Sequence, residues 1–377
     1  MNEPRKPRQI SVGAPVLAGR EKEYVLDCLE SNWISSKGKY LTRFEQEFAA
    51  FCGTRYALAC SNGTTALHLA LMGFGTGPGD EVIVPSLTYI ATANAVTYCG
   101  ARPVFADSEP RTGNMDPALI EGLITPQTKG IVVVHLYGHP ADMDPILAVA
   151  KKHGLFVVED AAEAHGALYR GRKAGSLADA AIFSFYGNKI LTCGEGGMVT
   201  TDREDLALKM EHIKGQGMDL DRCYWFSIVG YNYRMTNVAA AIGLAQLEKA
   251  GWHLERHHEI ARWYRAGLKD CASIQWQEEE PWAGHAHWMM TVYFRGMKEP
   301  GREALRQKLA EAGIETRPVF YPLHILPPYR EGHGSRPMPV CERLAESGIN
   351  LPTSAGLSED DVAYVCENLK RVLATES

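Results

Sequence analysis

The residues whose types and spacing most clearly could do chemistry are a lysine and an aspartate. Lys189 lies in the run Phe183-Ser184-Phe185-Tyr186-Gly187-Asn188-Lys189-Ile190-Leu191-Thr192-Cys193-Gly194-Glu195-Gly196-Gly197, between an apolar, strand-like stretch and a glycine-rich turn. Asp160 follows another apolar stretch, Leu155-Phe156-Val157-Val158-Glu159, twenty-nine positions upstream. A lysine in a tight, charge-poor place is desolvated, which frees its amine to act as a nucleophile. A carboxylate at the carboxyl end of a buried parallel strand stands where α/β sheets collect their ligands. A Schiff-base lysine with an upstream aspartate for a pyridinium nitrogen is the pattern of pyridoxal phosphate (PLP) chemistry. Taken singly, Lys189 reads as a solvated surface residue and Asp160 as a helix N-cap before Ala161-Ala162-Glu163. Their combination is what points to a cofactor.

A phosphate would need its own cup. Ser61-Asn62-Gly63-Thr64-Thr65-Ala66 joins a short strand to a helix, and N–H groups at a helix start beside a glycine suit a phosphate. An ordinary capped turn is the competing reading. Ser184, five residues before Lys189, places a hydroxyl where it could serve the same phosphate. Tyr89, in Pro85-Ser86-Leu87-Thr88-Tyr89, is either a core tyrosine or a ring that stacks on a pyridine. Neither Gly-x-Gly-x-x-Gly nor Gly-x-x-x-x-Gly-Lys-Ser/Thr occurs, so dinucleotide and P-loop readings lack their glycines. His135, His139 and His165 lack metal-ligand spacing with cysteine, and no metal is expected.

The elements that must hold these residues alternate. Strands are expected at 56–60, 81–85, 102–106, 130–136, 156–160, 180–184 and 197–201. Helical spacing falls at 20–30, 44–51, 64–72, 89–98, 117–123 and 144–153. The strands are continuous apolar runs without a polar face, which predicts an α/β fold with a mainly parallel sheet covered on both sides. From Asn237 to about Lys269 one long helix is expected, followed by mixed short strands and helices. This divides the chain into a large domain, 1–250, and a small C-terminal α+β domain, 251–377.

The 377 residues are about 45% hydrophobic and 22% charged, with a formal net charge of -6. That balance, with no long basic run, argues against nucleic acid and against an anionic membrane surface as partners. The first nine residues are charged and proline-containing, so no secretory signal is expected, and no apolar run approaches a membrane span. Nine scattered cysteines with no Cys-x-x-Cys pair read as free thiols of a reducing cytoplasm.

Six segments together resemble the DegT/DnrJ/EryC1/StrS family of sugar aminotransferases, within the type I PLP (aspartate-aminotransferase) fold. They are Trp33-Ile34-Ser35-Ser36, Asn62-Gly63-Thr64, Pro85 to Tyr89, Glu159-Asp160-Ala161-Ala162-Glu163-Ala164-His165-Gly166, the Lys189 run, and Gly230-Tyr231-Asn232-Tyr233-Arg234-Met235. The resemblance covers nearly the whole chain. It implies a three-layer sandwich, with Lys189 as the Schiff-base lysine and Asp160 as the partner of the ring nitrogen. It implies phosphate contacts at Gly63, Thr64 and Ser184, and a stacking ring at Tyr89. Asn232 would reach the phosphate of the neighbouring subunit, giving a homodimer with shared active sites. Arg234 would hold the donor's carboxylate, and L-glutamate is the donor implied. Two positions depart from many members: Glu163, near the cofactor, where glutamine is common, and Tyr186, where histidine is common.

Arg317-Pro318-Val319-Phe320-Tyr321-Pro322-Leu323-His324 and Pro327-Pro328-Tyr329 resemble the subgroup that aminates C4 of nucleotide-linked 4-keto-6-deoxy sugars. Trp33, Ser35, Tyr186, Tyr321 and His324 are then expected around a nucleotide-diphosphate keto sugar. GDP-4-keto-6-deoxymannose is the first expectation, and UDP- or dTDP-linked sugars are the alternatives. For Tyr321, His324 and Tyr329 the competing reading is a proline-rich surface loop. A dehydratase of the same family is disfavoured because such members replace the lysine with histidine. A non-catalytic regulator is disfavoured by the intact Lys189, Asp160 and Ser184.

Overall fold

The computed structural model describes residues 8–219, 221–331 and 336–374. Its centre is a seven-stranded sheet. In spatial order the strands are Tyr56–Cys60, Gly197–Thr201, Ala180–Ser184, Phe156–Asp160, Thr128–Val134, Glu81–Pro85 and Arg102–Ala106. Five strands, from Ala180–Ser184 to Arg102–Ala106, pair in parallel; Gly197–Thr201 runs antiparallel to both of its neighbours.

Side chains of a strand alternate between faces, and here the alternation feeds two separate cores. Val82, Val84, Val132 and Val158 enter one core, with Phe44, Phe48 and helices 63–73 and 237–248. Ile83, Ile131, Val133 and Val157 enter the other, with Met143, Ile146 and Ala150 of helix Met143–His153. Both faces are covered, as an apolar strand without a polar side requires. This is the expected three-layer sandwich.

A third core is built by Ile260, Ala261 and Tyr264 of helix Ala250–Gly267, by Val362, Val365 and Leu369 of helix Glu359–Ala374, and by an antiparallel sheet. That sheet is ordered Ile274–Trp276, Met290–Phe294, Gly348–Leu351 and Arg317–Pro318. The single helix expected from Asn237 to about Lys269 is two, Asn237–Glu248 and Ala250–Gly267, joined at Lys249 with φ −107° and ψ 11°. The first half serves the main core through Ala240, Ala241, Leu244 and Ala245; the second serves the third core. Two cores impose two axes, and Gly251, just past the joint, is a weak helix former that eases the change of direction. Packing also crosses position 250 both ways. Ile10 belongs to the third core, whereas Val319, Leu323, Cys341 and Leu344 belong to the first.

Candidate active site

The carboxyl ends of adjacent strands bring the expected pair together. Asp160 ends its strand beside Ile182, and Ser184 ends the next strand, five residues before Lys189. Asp160 is buried. Its Oδ2 accepts a hydrogen bond from Thr92 Oγ1 at 2.8 Å, and its Oδ1 accepts one from Ala162 N at 3.3 Å. Burial raises the Asp160 pKa, opposed by Thr92, Ala162, Lys189 and His135. A cationic or N–H group placed beside such a buried carboxyl favours its charged form.

The backbone at 61–66 forms the capped helix start that a phosphate cup would need. Helix Gly63–Gly73 is capped by Asn62, whose Oδ1 accepts from Thr65 N at 2.9 Å. Ala66 N bonds to Asn62 O, which leaves the Gly63 and Thr64 N–H groups as the orphan donors of the helix start. A Cβ on Gly63 would stand 2.8 Å from Ser184 Cβ, so only glycine lets the helix start approach the serine. Gly197, paired to both Cys60 and Ser184, closes the floor: its Cβ would meet Asn62 O at 2.2 Å.

Lys189 lies in a buried, aromatic setting. Its Nζ is 3.6 Å from the centroid of the Trp288 ring and 3.8 Å from Glu163 Oε1. Trp288 Nε1 donates to Asn188 O at 2.8 Å, which ties the lysine's loop to that wall. Tyr137 stacks on Trp288 and on Phe320, with centroids 6.2 and 5.1 Å apart, and Phe320 N donates to Tyr137 Oη at 3.0 Å. Burial lowers the Lys189 pKa, opposed by Glu163 and Asp160. Burial raises the Glu163 pKa, opposed chiefly by Lys189.

The residues fit PLP. The orphan N–H groups and the Ser184 hydroxyl suit its phosphate, Asp160 suits its ring nitrogen, and Lys189 is a desolvated amine at the same strand ends. Tyr89, expected inside a helix, instead precedes helix Ala91–Tyr98 and exposes 59% of its surface, so its ring is free to cover a ligand.

The remaining expected residues divide. Trp33, Ser35 and Tyr186 are exposed. Asn232 is also exposed, and its Oδ1 accepts from Arg234 Nε at 3.0 Å. This segment runs beside the phosphate cup, because Ser61 N donates to Tyr233 O and Cys60 bridges to Arg234. Tyr321 Oη donates to Glu299 Oε1 at 2.6 Å and accepts from Arg302 Nη2 at 3.0 Å. Both His324 ring nitrogens are engaged, Nδ1 with Ser86 Oγ at 2.7 Å and Nε2 with Glu342 Oε1 at 3.1 Å. His324 thus anchors the loop that presents Tyr89.

Four participants were not singled out from the sequence: Thr92, Tyr137, Asn237 and Trp288. Thr92 and Trp288 are far in sequence from the residues they touch. Tyr137 stands in the left-handed region at φ 56°, where its N–H donates to Glu163 Oε2 at 2.8 Å. Its one sequence clue is the Tyr137-Gly138 pair directly after a strand. Asn237 binds Tyr40 N and Leu41 N through Oδ1, both at 3.1 Å, and Trp33 O through Nδ2 at 2.7 Å.

The model of the DegT/DnrJ/EryC1/StrS aminotransferase family matches residues 15–370. The chain belongs to this family. The GDP-perosamine synthase of Caulobacter vibrioides is 54% identical over 366 residues, covering 97% of this chain and 98% of the relative. Among solved structures, Spr1654 of Streptococcus pneumoniae in its PLP-form superposes with a TM-score of 0.92 at 29% identity, over 98% and 99% of the two chains. DesI, solved in the presence of its TDP-sugar product, superposes with a TM-score of 0.90 at 35% identity, over 97% and 93%. No helix among the described residues is long and apolar enough to cross a membrane.

Proposed function

We propose that the chain is a PLP-dependent aminotransferase that moves the amino group of L-glutamate to C4 of a GDP-linked 4-keto-6-deoxy sugar. The substrate is GDP-4-keto-6-deoxymannose and the product GDP-perosamine. The enzyme works as a cytoplasmic homodimer with shared active sites. The observation that carries this reading is the convergence of a desolvated Lys189, a buried Asp160 and the orphan N–H groups of Gly63 and Thr64 at one end of the sheet. The GDP assignment is supported by the 54% relative against the 35% identity of the TDP-sugar protein.

When bound, PLP supplies an electron-poor ring that accepts negative charge from the donor's Cα. The chain does the rest. Gly63 N, Thr64 N and Ser184 Oγ hold the phosphate, and Asn232 of the second subunit completes that contact. Asp160 holds the ring's N–H, with Thr92 fixing the carboxylate. Tyr89 covers one face of the ring. Arg234 binds the donor's carboxylate. Lys189 Nζ, the desolvated amine of the site, would take the proton from the donor's Cα, and with the keto sugar it would return one in the reverse sense. Trp33, Ser35 and Tyr186 contact the sugar nucleotide, with Tyr321 and His324 at its rim.

Donor and acceptor use one site in turn, so initial rates should give parallel double-reciprocal lines. Intersecting lines would contradict a shared site.

A further inference from the structure

Glu163 and Lys189 are a buried pair of opposite charge beside the Trp288 ring. Their side chains are 5% and 11% exposed, with Oε1 and Nζ 3.8 Å apart. Oε2 is already committed, since it accepts from Tyr137 N, and the left-handed turn at Tyr137 is what directs that N–H to it. Oε1 is left facing the amine. Among the described residues, no other carboxylate lies within ion-pair distance of Lys189 Nζ. The remaining charged and titratable groups acting on the pair are Asp160, Arg317 and the Tyr137 hydroxyl; His165 feels the lysine, and His135 acts on Asp160.

We propose that Glu163 is the proton store of Lys189: the two share one proton, and Glu163 Oε1 takes it whenever the lysine must act as a free amine. The step breaks one N–H bond at Nζ and makes one O–H bond at Oε1. An ammonium–carboxylate pair becomes an amine–carboxylic acid pair, with no change in net charge. Burying the charged pair is costly, whereas the neutral pair is cheap to bury. The direction of both shifts agrees, Glu163 up and Lys189 down. The proposal rests on the aminotransferase reading for its purpose but not for its test.

The test is the pH dependence of Lys189 labelling by trinitrobenzenesulfonate, read on the labelled peptide in the cofactor-free full chain. Two groups sharing a proton titrate in two steps. The wild type should therefore show a two-step profile, and Glu163→Gln, which still accepts from Tyr137 N, a single step. In the holoenzyme, a carboxylic-acid C=O infrared band at neutral pH should shift on 13C-glutamate labelling and vanish in Glu163→Gln. That variant should lose roughly tenfold in kcat while both KM values stay within about twofold, as for a proton-transfer group. Identical labelling profiles in the two proteins, or no glutamate-derived acid band in the wild type, would overturn the proposal. Because labelling needs no turnover, a chain that fails to transaminate would sink the functional reading and leave this one standing.

Discussion

At the scale of single residues, the site is a set of buried polar groups, each constrained by one neighbour. Lys189→Ala removes the amine that faces the Trp288 ring. Transamination should fall by about a thousandfold or more, equivalent to roughly 4 kcal/mol of transition-state stabilisation. Near-normal 2-oxoglutarate release from that variant would end the mechanism. Thr92 carries a subtler prediction. Its hydroxyl lowers the Asp160 pKa against the raising effect of burial. A hydrogen bond to a charged group is worth about 1.5–3 kcal/mol. In Thr92→Val the Asp160 pKa rises further, so its carboxylate is lost at higher pH. The acid limb of kcat/KM should move upward; a fixed or downward-moving limb would dissociate Thr92 from Asp160.

At the scale of elements, two clasps present exposed residues. Asn237, nine-tenths or more buried, binds both ends of the turn that carries Trp33 and Ser35. Asn237→Ala should cost about 2–4 kcal/mol of stability, because it strands buried N–H groups. The urea midpoint should drop, and the KM for the nucleotide sugar should rise more than the KM for glutamate. Equal changes in both would place Trp33 and Ser35 outside the sugar site. His324 does the same for the Tyr89 loop through Ser86. These clasps explain what was and was not legible in the sequence. Strand runs such as Ile131–Val134 announced the sheet because both of their faces are buried. Asp160, Ser184 and Gly63 announced the site because they sit at strand ends or helix starts, where local sequence and position coincide. Asn237, Thr92 and Trp288 act on residues far away in the chain, and no local pattern encodes such contacts. The break at Lys249 was hidden for a related reason: it follows from two cores, and the nearby Gly251 is only a weak local signal for it.

At the scale of the whole molecule, the exposed Asn232 and the half-buried Arg234 lie on a segment next to the candidate phosphate cup. If each cup is completed by the second copy, inactive Lys189→Ala and Asn232→Ala chains should restore activity when mixed. Random pairing would give one competent site in about half of the dimers. No rescue after subunit exchange would count against shared sites. The most direct test of the central claim is amino transfer itself. Purified protein with PLP and glutamate should be offered GDP-, UDP- and dTDP-linked 4-keto-6-deoxy sugars and a 3-keto isomer. 2-Oxoglutarate release and the mass of the sugar nucleotide are then followed. The account predicts one 2-oxoglutarate per aminated sugar, with the highest kcat/KM for GDP-4-keto-6-deoxymannose. Amination of the 3-keto isomer without the 4-keto sugars, or no amination of any of them, would contradict it.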